Sequence, residues 1–144
     1  TLALETSSYS LVTIAREASK YFSKDGASVI SMTFDASTKV YPGYNVMGTA
    51  KAALENINRQ LSAQFGPNKT RFNSISAGPL PSLSARSIPG FTEMRKAHEE
   101  RSPIKRPITH EEVANTALFL ISDMSSGITG SIIPVDGGYG IIAL

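Results

Sequence analysis

The chain has 144 residues, of which 41% are hydrophobic and 18% charged, an ordinary composition for one globular domain. Its 14 basic and 12 acidic residues leave a net charge of only +2, so a nucleic-acid-binding or membrane-binding surface is not supported. Cysteine is absent, which excludes disulfides, thiol catalysis and cysteine-ligated zinc, and no apolar run approaches the ~20 residues of a membrane span. The sequence therefore predicts a cytoplasmic protein with no nucleic-acid or membrane partner.

The first predicted element is a helix that ends before Gly26. Its apolar residues recur on one helical face, namely Leu11, Ile14, Ala15, Ala18 and Phe22. No strand precedes this helix, although a helix of this kind needs a sheet to pack against. We therefore expect that an incoming strand is missing.

Three short segments, each bounded by turn residues, are predicted to be strands. They are ASVISMTF (27–34), TRFNSISAGPL (70–80), which closes in Gly78 and Pro79, and GSIIPVDGGYGII (130–142), in which a glycine turn follows the strand. The first is mostly apolar, so we expect it to be buried on both faces.

Helices are predicted between these strands. The first carries Leu54, Ile57 and Leu61 at helical spacing and ends at Gly66 and Pro67. Residues 81–107 are polar and broken by proline and glycine, so they are predicted to form a long excursion with one or two short helices; such excursions are commonly functional. The last helix begins with a capping box of Thr109 and Glu112, followed by an apolar stripe of Val113, Ala114, Ala117 and Ile121.

The alternation of helices and strands predicts an α/β fold, a doubly wound parallel sheet with helices on both faces. Such sheets bind ligands at the carboxyl ends of their strands, where the strand order reverses. These ends are predicted at Thr33–Asp35, Ala77–Leu80 and Asp136–Gly138. Because three strands are too few for a complete sheet of this type, we expect residues 1–144 to be part of a domain.

A tyrosine and a lysine follow the first of these ends in YPGYNVMGTAKAAL (41–54). Tyr44 and Lys51 are separated by almost two helical turns, so we expect both side chains on one helical face. A nearby ammonium favours the ionised form of a phenol and lowers its pKa, which makes the phenol a usable proton donor or oxyanion stabiliser. Spacing alone does not separate such a site from an ordinary surface pair.

Other candidate residues are predicted to have structural or solvent-exposed roles. His98 and His110 lie in charged surroundings without metal-ligand spacing, so they are predicted to be solvated and no metal site is expected. Asp136, before two glycines, is predicted to form a turn. Ser7, Ser8 and Ser10 have no histidine and acid in recognisable order, which argues against a serine hydrolase.

Five segments carry a resemblance to a known family: SYS (8–10), YNVMGTAKAALE (44–55), RFNSISAGPL (71–80), SIPGF (87–91) and SGITGSIIPVDGGYG (126–140). Together they resemble the second half of the short-chain dehydrogenase/reductases, which have a Rossmann-type fold. Within that family they are similar to the enoyl-acyl-carrier-protein reductases of bacterial fatty-acid synthesis. The wider family usually has its lysine four positions after the tyrosine. Here Gly48 occupies that position and the lysine stands at seven, which is the spacing of the enoyl reductases.

The resemblance implies a role for each matching residue. Tyr44 would stabilise the enolate at the thioester carbonyl, and Lys51 would hold the nicotinamide ribose of NADH, with NADPH also possible. The segment around Leu80 would meet the carboxamide of the nicotinamide, and Ser82 would contact the pyrophosphate. Besides Lys51, the residues implied to contact the cofactor are Thr33, Gly78, Pro79, Leu80 and Ser82. Substrate contacts are implied for Phe34, which is a tyrosine in many members and a phenylalanine in the mycobacterial branch, and for Tyr44, Ala85, Ile88, Phe91 and Met94. The implied substrate-binding loop and helix span about residues 80–108.

The resemblance also implies the reaction and the partners. The expected reaction is hydride transfer to a trans-2-enoyl thioester on acyl-carrier protein, by a homotetramer. The glycine-rich, dinucleotide-binding N-terminal half of the family is absent from the sequence, so we expect a second chain or another segment to supply it. Pro81 stands where arginine or lysine is more usual, which removes a pyrophosphate contact. The alternatives are a β-ketoacyl or other carbonyl reductase, and a non-catalytic binding or oligomerisation module built on helix 51–64.

Overall fold

A computed structural model describes residues 1–143, and three parallel strands form its sheet. The strands are β1 (Ser28–Thr33), β2 (Arg71–Ala77) and β3 (Ile132–Val135), in the order β1-β2-β3. Thr33 is level with Ser76, and Ala77 is level with Val135, so the carboxyl ends of the strands meet at one edge. The three predicted strands and their parallel arrangement are confirmed.

The helices before and between these strands are also those expected, including two short helices in residues 81–107. In chain order they are α1 (Leu2–Leu4), which continues through a π-helical turn (Glu5–Tyr9) into α2 (Ser10–Ala18), then α3 (Val46–Phe65), α4 (Leu83–Arg86), α5 (Phe91–Arg101) and α6 (His110–Ile121). None of the helices in residues 1–143 has the length and hydropathy that a membrane-spanning helix requires.

Two hydrophobic cores lie on opposite faces of the sheet. One contains Phe72 of β2 with Leu54 and Leu61 of α3, and the other contains Ile75 of β2 with Val113 and Leu120 of α6. Phe72 and Ile75 are three positions apart, and successive side chains of a strand point to opposite faces. The helices therefore cover both faces, as the α/β prediction requires.

The two crossover connections have opposite hands. The strand order advances from β1 to β3 without reversing, whereas α3 and α6 lie on opposite faces. Parallel crossovers are right-handed in about 98% of cases, so one of these two connections is an exception to that rule. The reversal of strand order that was expected beside the binding crevice is not present in the sheet of residues 1–143.

Burial differs from the prediction at four places. Strand β1 is only partly buried, with Met32 45% exposed, because it pairs with β2 alone within the described residues, and it is β2 that is buried on both faces. Ile14 and Ile121 are 60% and 55% exposed, Ala114 of the predicted stripe is exposed as well, and all three face away from the cores. Helix α6 buries Val113 and Leu120, which are seven positions apart and lie on one face of the helix. Ile121 follows Leu120 directly, so its side chain points about 100° away from that buried face.

The predicted capping box at the start of α6 is confirmed. The Thr109 Oγ1 accepts from the backbone N–H of Glu112 at 3.2 Å, and the Glu112 Oε2 accepts from the backbone N–H of Thr109 at 2.8 Å. Arg106 adds an ion pair from Nη2 to the Glu112 Oε1 at 2.6 Å. The hydrogen bonds from Arg106 and Thr109 lower the pKa of Glu112 to about 2, so the cap keeps its charge at neutral pH.

We expect Thr109→Ala to lower the free energy of unfolding by about 1 kcal/mol, because the first turn of α6 loses its side-chain acceptor. Urea denaturation of the protein measures this change. Thr13→Ala is the matched control, since Thr13 is exposed within α2 and alanine is the better helix former there. Equal losses in the two variants would contradict the capping role.

Candidate active site

A cavity of about 750 Å³ opens at the carboxyl ends of β1 and β2. Its size lies within the ~300–1,000 Å³ typical of small-molecule sites. It is lined by all twelve residues predicted to contact cofactor or substrate, namely Thr33, Phe34, Tyr44, Lys51, Gly78, Pro79, Leu80, Ser82, Ala85, Ile88, Phe91 and Met94. The structure thus brings the twelve together, and the role of each stays a prediction.

Tyr44 lies in the turn before α3 and not on the helix. The helix begins at Val46, and the intervening Asn45 has φ 46° and ψ −127°, a conformation that side-chain-bearing residues adopt only at a cost. The expectation that Tyr44 and Lys51 share one helical face is therefore wrong. They reach the same cavity because this turn directs Tyr44 towards it.

The Tyr44 phenol is half-buried beside an aromatic ring. The ring centroids of Phe34 and Tyr44 are 5.4 Å apart in an edge-on arrangement. Burial raises the pKa of Tyr44, which is opposite to the lowering expected from the Lys51 ammonium. The phenol is therefore protonated at neutral pH and can act as a hydrogen-bond donor.

Lys51 contacts the end of β1 through its ammonium group. Its Nζ donates to the backbone oxygen of Met32 at 3.0 Å, and an ammonium has three protons, so two are left for a ligand. Burial lowers the pKa of Lys51, and the Glu55 carboxylate one helical turn later opposes that change. The site thus contains a partly desolvated cation.

Thr33 lines the cavity, but its hydroxyl is used elsewhere. The Thr33 Oγ1 donates to the Glu55 Oε1 at 2.8 Å, and Thr33 is only 5% exposed. The side chain therefore points to α3, and the expected cofactor contact of Thr33 is left to its backbone. In contrast, Ser82 is exposed at the start of α4, where its Oγ accepts from the backbone N–H of Ala85 at 3.1 Å and its own proton is free to be donated.

Helices α4 and α5 form one wall of the cavity. Ala85 of α4 is buried, and Phe91 and Met94 of α5 lie three positions apart on one side of that helix. Ile88 lies in the connection between the two helices. The segment predicted to cover the substrate is therefore next to Tyr44 and Lys51.

The prediction that His98 is solvated is wrong. It is 6% exposed, its Nε2 lies 3.2 Å from the Tyr41 Oη, and its ring stacks on Tyr139 with centroids 3.6 Å apart. No local pattern pointed to this contact, because Tyr41 is 57 positions away in the chain. His110, in contrast, is exposed as expected and lies at the rim of the cavity.

The predicted turn at Asp136 is confirmed. Its Oδ1 accepts from the backbone N–H of Gly138 at 2.8 Å, and its Oδ2 accepts from that of Gly140 at 2.7 Å. Both carboxylate oxygens are therefore used to hold the loop after β3. A group of three acidic or histidine side chains suited to a metal ion does not occur within residues 1–143.

A second cavity of about 690 Å³ lies between the loop at Lys39–Pro42, helix α5 and the segment after Tyr139. Met94 borders both cavities, but Tyr44 and Lys51 line only the first. The titratable pair that can perform chemistry is therefore in the first cavity, which we take as the candidate active site.

Comparison with known proteins gives the family of the chain. A family model described as Enoyl-(Acyl carrier protein) reductase matches residues 1–140. The enoyl-acyl-carrier-protein reductase (NADH) FabI of Synechocystis sp. is 49% identical over 142 residues, which cover 99% of this chain and 55% of that protein. The NADPH enzyme FabI of Staphylococcus aureus is 45% identical over 138 residues, 96% of this chain and 54% of that protein.

Solved structures agree with the sequence comparison. The crystal structure of the Bacillus cereus enoyl-acyl carrier protein reductase with NADP+ and indole naphthyridinone is similar with a TM-score of 0.92 and 43% identity, covering 96% of this chain and 53% of that chain. The chain spans about half the length of the curated relatives it matches. The matched residues include the whole candidate active site, and the chain belongs to the enoyl-acyl-carrier-protein reductase family.

Proposed function

We propose that this chain forms the reactive part of an enzyme that reduces the carbon–carbon double bond of a trans-2-enoyl thioester on acyl-carrier protein during fatty-acid elongation. The observation that carries the proposal is the cavity shared by Tyr44 and Lys51. The names of the relatives support it, since they are enoyl-acyl-carrier-protein reductases that use NADH or NADPH.

Tyr44 would stabilise the negative charge that develops on the thioester oxygen. The nicotinamide cofactor, when bound, supplies the hydride for the β-carbon of the substrate. The Tyr44 Oη is a donor in a half-buried site, and donors that face a developing oxyanion in such a site contribute strongly to catalysis. Because burial raises the pKa of this phenol, its proton stays in place for that hydrogen bond.

The residues of the cavity fit the nicotinamide half of the cofactor. The two protons of Lys51 that are not used by Met32 can donate to ribose hydroxyls, and Ser82 has a free O–H for a phosphate oxygen. Pro81 adds no charge there. These contacts are the same for NADH and NADPH, so the proposal includes both.

Gly48 supports an enoyl reductase over the carbonyl-reductase alternative. A Cβ atom at Gly48 would lie 2.7 Å from the backbone oxygen of Ala36, closer than a real contact allows. The lysine of the wider family, four positions after the tyrosine, has no room in this arrangement of helix and loop. Lys51 approaches the cavity from one turn further along α3 instead.

We also propose that further strands, from the same protein or a second chain, complete the sheet. The outer edge of β1 has no partner strand within residues 1–143, where β1 pairs with β2 alone. Self-association into a homotetramer is proposed on the basis of the exposed apolar residues in the last turn of α6 and just after it, namely Leu118, Phe119, Ile121 and Met124. Light scattering of the purified protein measures the mass that distinguishes these assemblies from a lone chain.

The complete protein, whether this chain alone or a longer polypeptide, is expected to oxidise NADH or NADPH with a crotonyl thioester but not with an acetoacetyl thioester. We expect Tyr44→Phe to lower kcat/KM by about a hundredfold, the usual effect of losing one oxyanion donor. The absorbance of the nicotinamide measures the substrate preference and the effect of Tyr44→Phe. The control is Tyr21→Phe, because Tyr21 is 86% exposed. Activity on the ketone alone would identify a carbonyl reductase, and activity on neither would favour a non-catalytic module.

We expect kcat/KM to fall at alkaline pH because Lys51 loses its proton, which gives the pH profile an alkaline limb. Burial lowers the pKa of Lys51, so its charge is lost at lower pH than that of an ordinary lysine, while burial raises the pKa of Tyr44 and moves ionisation of the phenol to higher pH. Lys51→Arg keeps a positive charge to far higher pH, so the limb should move upwards even though activity falls. A limb that stays in place in Lys51→Arg would contradict this assignment.

Gly48→Ala should lower both activity and stability. The added Cβ meets backbone at Ala36, which cannot move aside as a flexible side chain would, and overpacking of this kind costs roughly 1–3 kcal/mol. The matched control is Gly66→Ala at the other end of α3, where nothing lies within 4 Å and φ is −54°. Urea denaturation and kcat/KM are measured for both variants, and similar behaviour of the two would argue against the close contact.

A further inference from the structure

Helix α5 is attached to the rest of the molecule in an unusual way. It carries Phe91 and Met94 on the candidate active site, but its sequence FTEMRKAHEER is mostly polar. His98 is its only buried residue. The contacts of His98 therefore determine where this wall of the cavity lies.

Hydrogen bonds connect His98 to the loop after β1. The Tyr41 Oη lies 2.9 Å from the Asp35 Oδ2 and 3.2 Å from the His98 Nε2. Tyr41 has a single hydroxyl proton, which burial and the Asp35 charge hold in place by raising its pKa. A carboxylate can only accept, so that proton is donated to Asp35, and the His98 Nε2–H must donate to the Tyr41 Oη.

The surroundings of His98 favour a neutral imidazole of this tautomer. Burial lowers the pKa of His98, and Lys39 acts in the same direction, while Asp35 and Asp136 oppose the shift. The ring stacks on Tyr139, and the Lys39 ammonium lies 5.1 Å from the centroid of the Tyr139 ring. His98 thereby joins α5 to the loops that follow β1 and β3.

The same contacts continue to the proposed catalytic tyrosine. The Tyr41 ring centroid lies 4.8 Å from that of Phe34, and the Phe34 centroid lies 5.4 Å from that of Tyr44. The Phe34 and His98 rings are 6.4 Å apart and nearly parallel. A displacement of Tyr41 would therefore displace Phe34 and loosen the packing of Tyr44.

We propose that His98 is a positioning residue, which donates its Nε2–H to Tyr41 and so holds helix α5 over the substrate and Phe34 against Tyr44. Its kinetic consequence rests on the proposed reductase function. The anchoring of α5 does not depend on that function and has its own measurement.

Two variants of His98 separate its hydrogen bond from its packing. His98→Phe keeps a ring on Tyr139 without the N–H, whereas His98→Gln places an amide N–H near the Nε2 position without the ring. In the complete protein we expect His98→Phe to raise the KM for the enoyl thioester and to lower kcat/KM about tenfold, with the KM for the nicotinamide cofactor unchanged. His98→Gln should retain most of the activity, which a role in folding alone would not produce.

A double-mutant cycle tests the pair directly. Tyr41→Phe removes the acceptor of the proposed hydrogen bond, so the double variant with His98→Phe should be no worse than the more affected single variant. Tyr21→Phe is again the control and should leave kcat/KM unchanged. Additive losses, or equal losses in His98→Phe and His98→Gln, would overturn the hydrogen-bond role.

Hydrogen exchange tests the anchoring without any activity. The amides of residues 91–101 should exchange faster in His98→Phe and in Tyr41→Phe than in the parent protein, while those of α6 keep their rates. If the protein reduces no thioester but α5 still loosens in this way, the proposed function fails and the anchoring stands. Unchanged exchange in α5, or a His98 ring whose 15N shifts indicate a proton on Nδ1, would overturn the inference.

Discussion

Helix α3 lies against the turn that follows β1, and the two backbones approach each other closely at position 48. A Cβ there would be 2.7 Å from the Ala36 oxygen, so only glycine permits the contact. Phe34 comes just before that turn, while Tyr44 and Lys51 flank Gly48 in sequence. One contact between backbones therefore sets the positions of all three side chains relative to the sheet. The chain reaches this arrangement with a positive φ at Asn45. Such a backbone conformation costs roughly 1–3 kcal/mol of stability, which the surrounding packing must offset.

Lys51 and Tyr44 have different surroundings in the candidate active site. Lys51 is desolvated at the end of β1, with Glu55 nearby and the Met32 oxygen as acceptor. A cation in such surroundings interacts more strongly with a ligand than one in water does. Tyr44 has no comparable charge in its environment, and burial keeps its proton in place. In the proposed function the phenol donates a hydrogen bond and the ammonium holds a ligand, without the lowered phenol pKa that was expected from a nearby ammonium.

Features encoded locally could be predicted from the sequence, and features that depend on distant partners could not. The strands, the capping box at Thr109 and the turn at Asp136 each follow from a few neighbouring residues, and the structure contains all three. The resemblance collected twelve residues that line one cavity, and seven of them lie within the five short segments that carry it. The exposure of Met32 depends on which strand lies beside β1, and the burial of His98 depends on Tyr41 and Tyr139, so neither is visible in a local pattern.

The way α5 is held suits a helix that borders a ligand. Helix α3 buries Ala50, Leu54, Glu55, Asn58 and Leu61, and its removal from the sheet would expose a whole hydrophobic face. Helix α5 buries one residue, and a hydrogen bond with an aromatic stack contributes only about 1–2 kcal/mol in total. Segments that must move for binding come from the least stable parts of a protein. Because a hydrogen bond is directional, the proposed histidine anchor holds α5 in a single position over the cavity without a buried hydrophobic face.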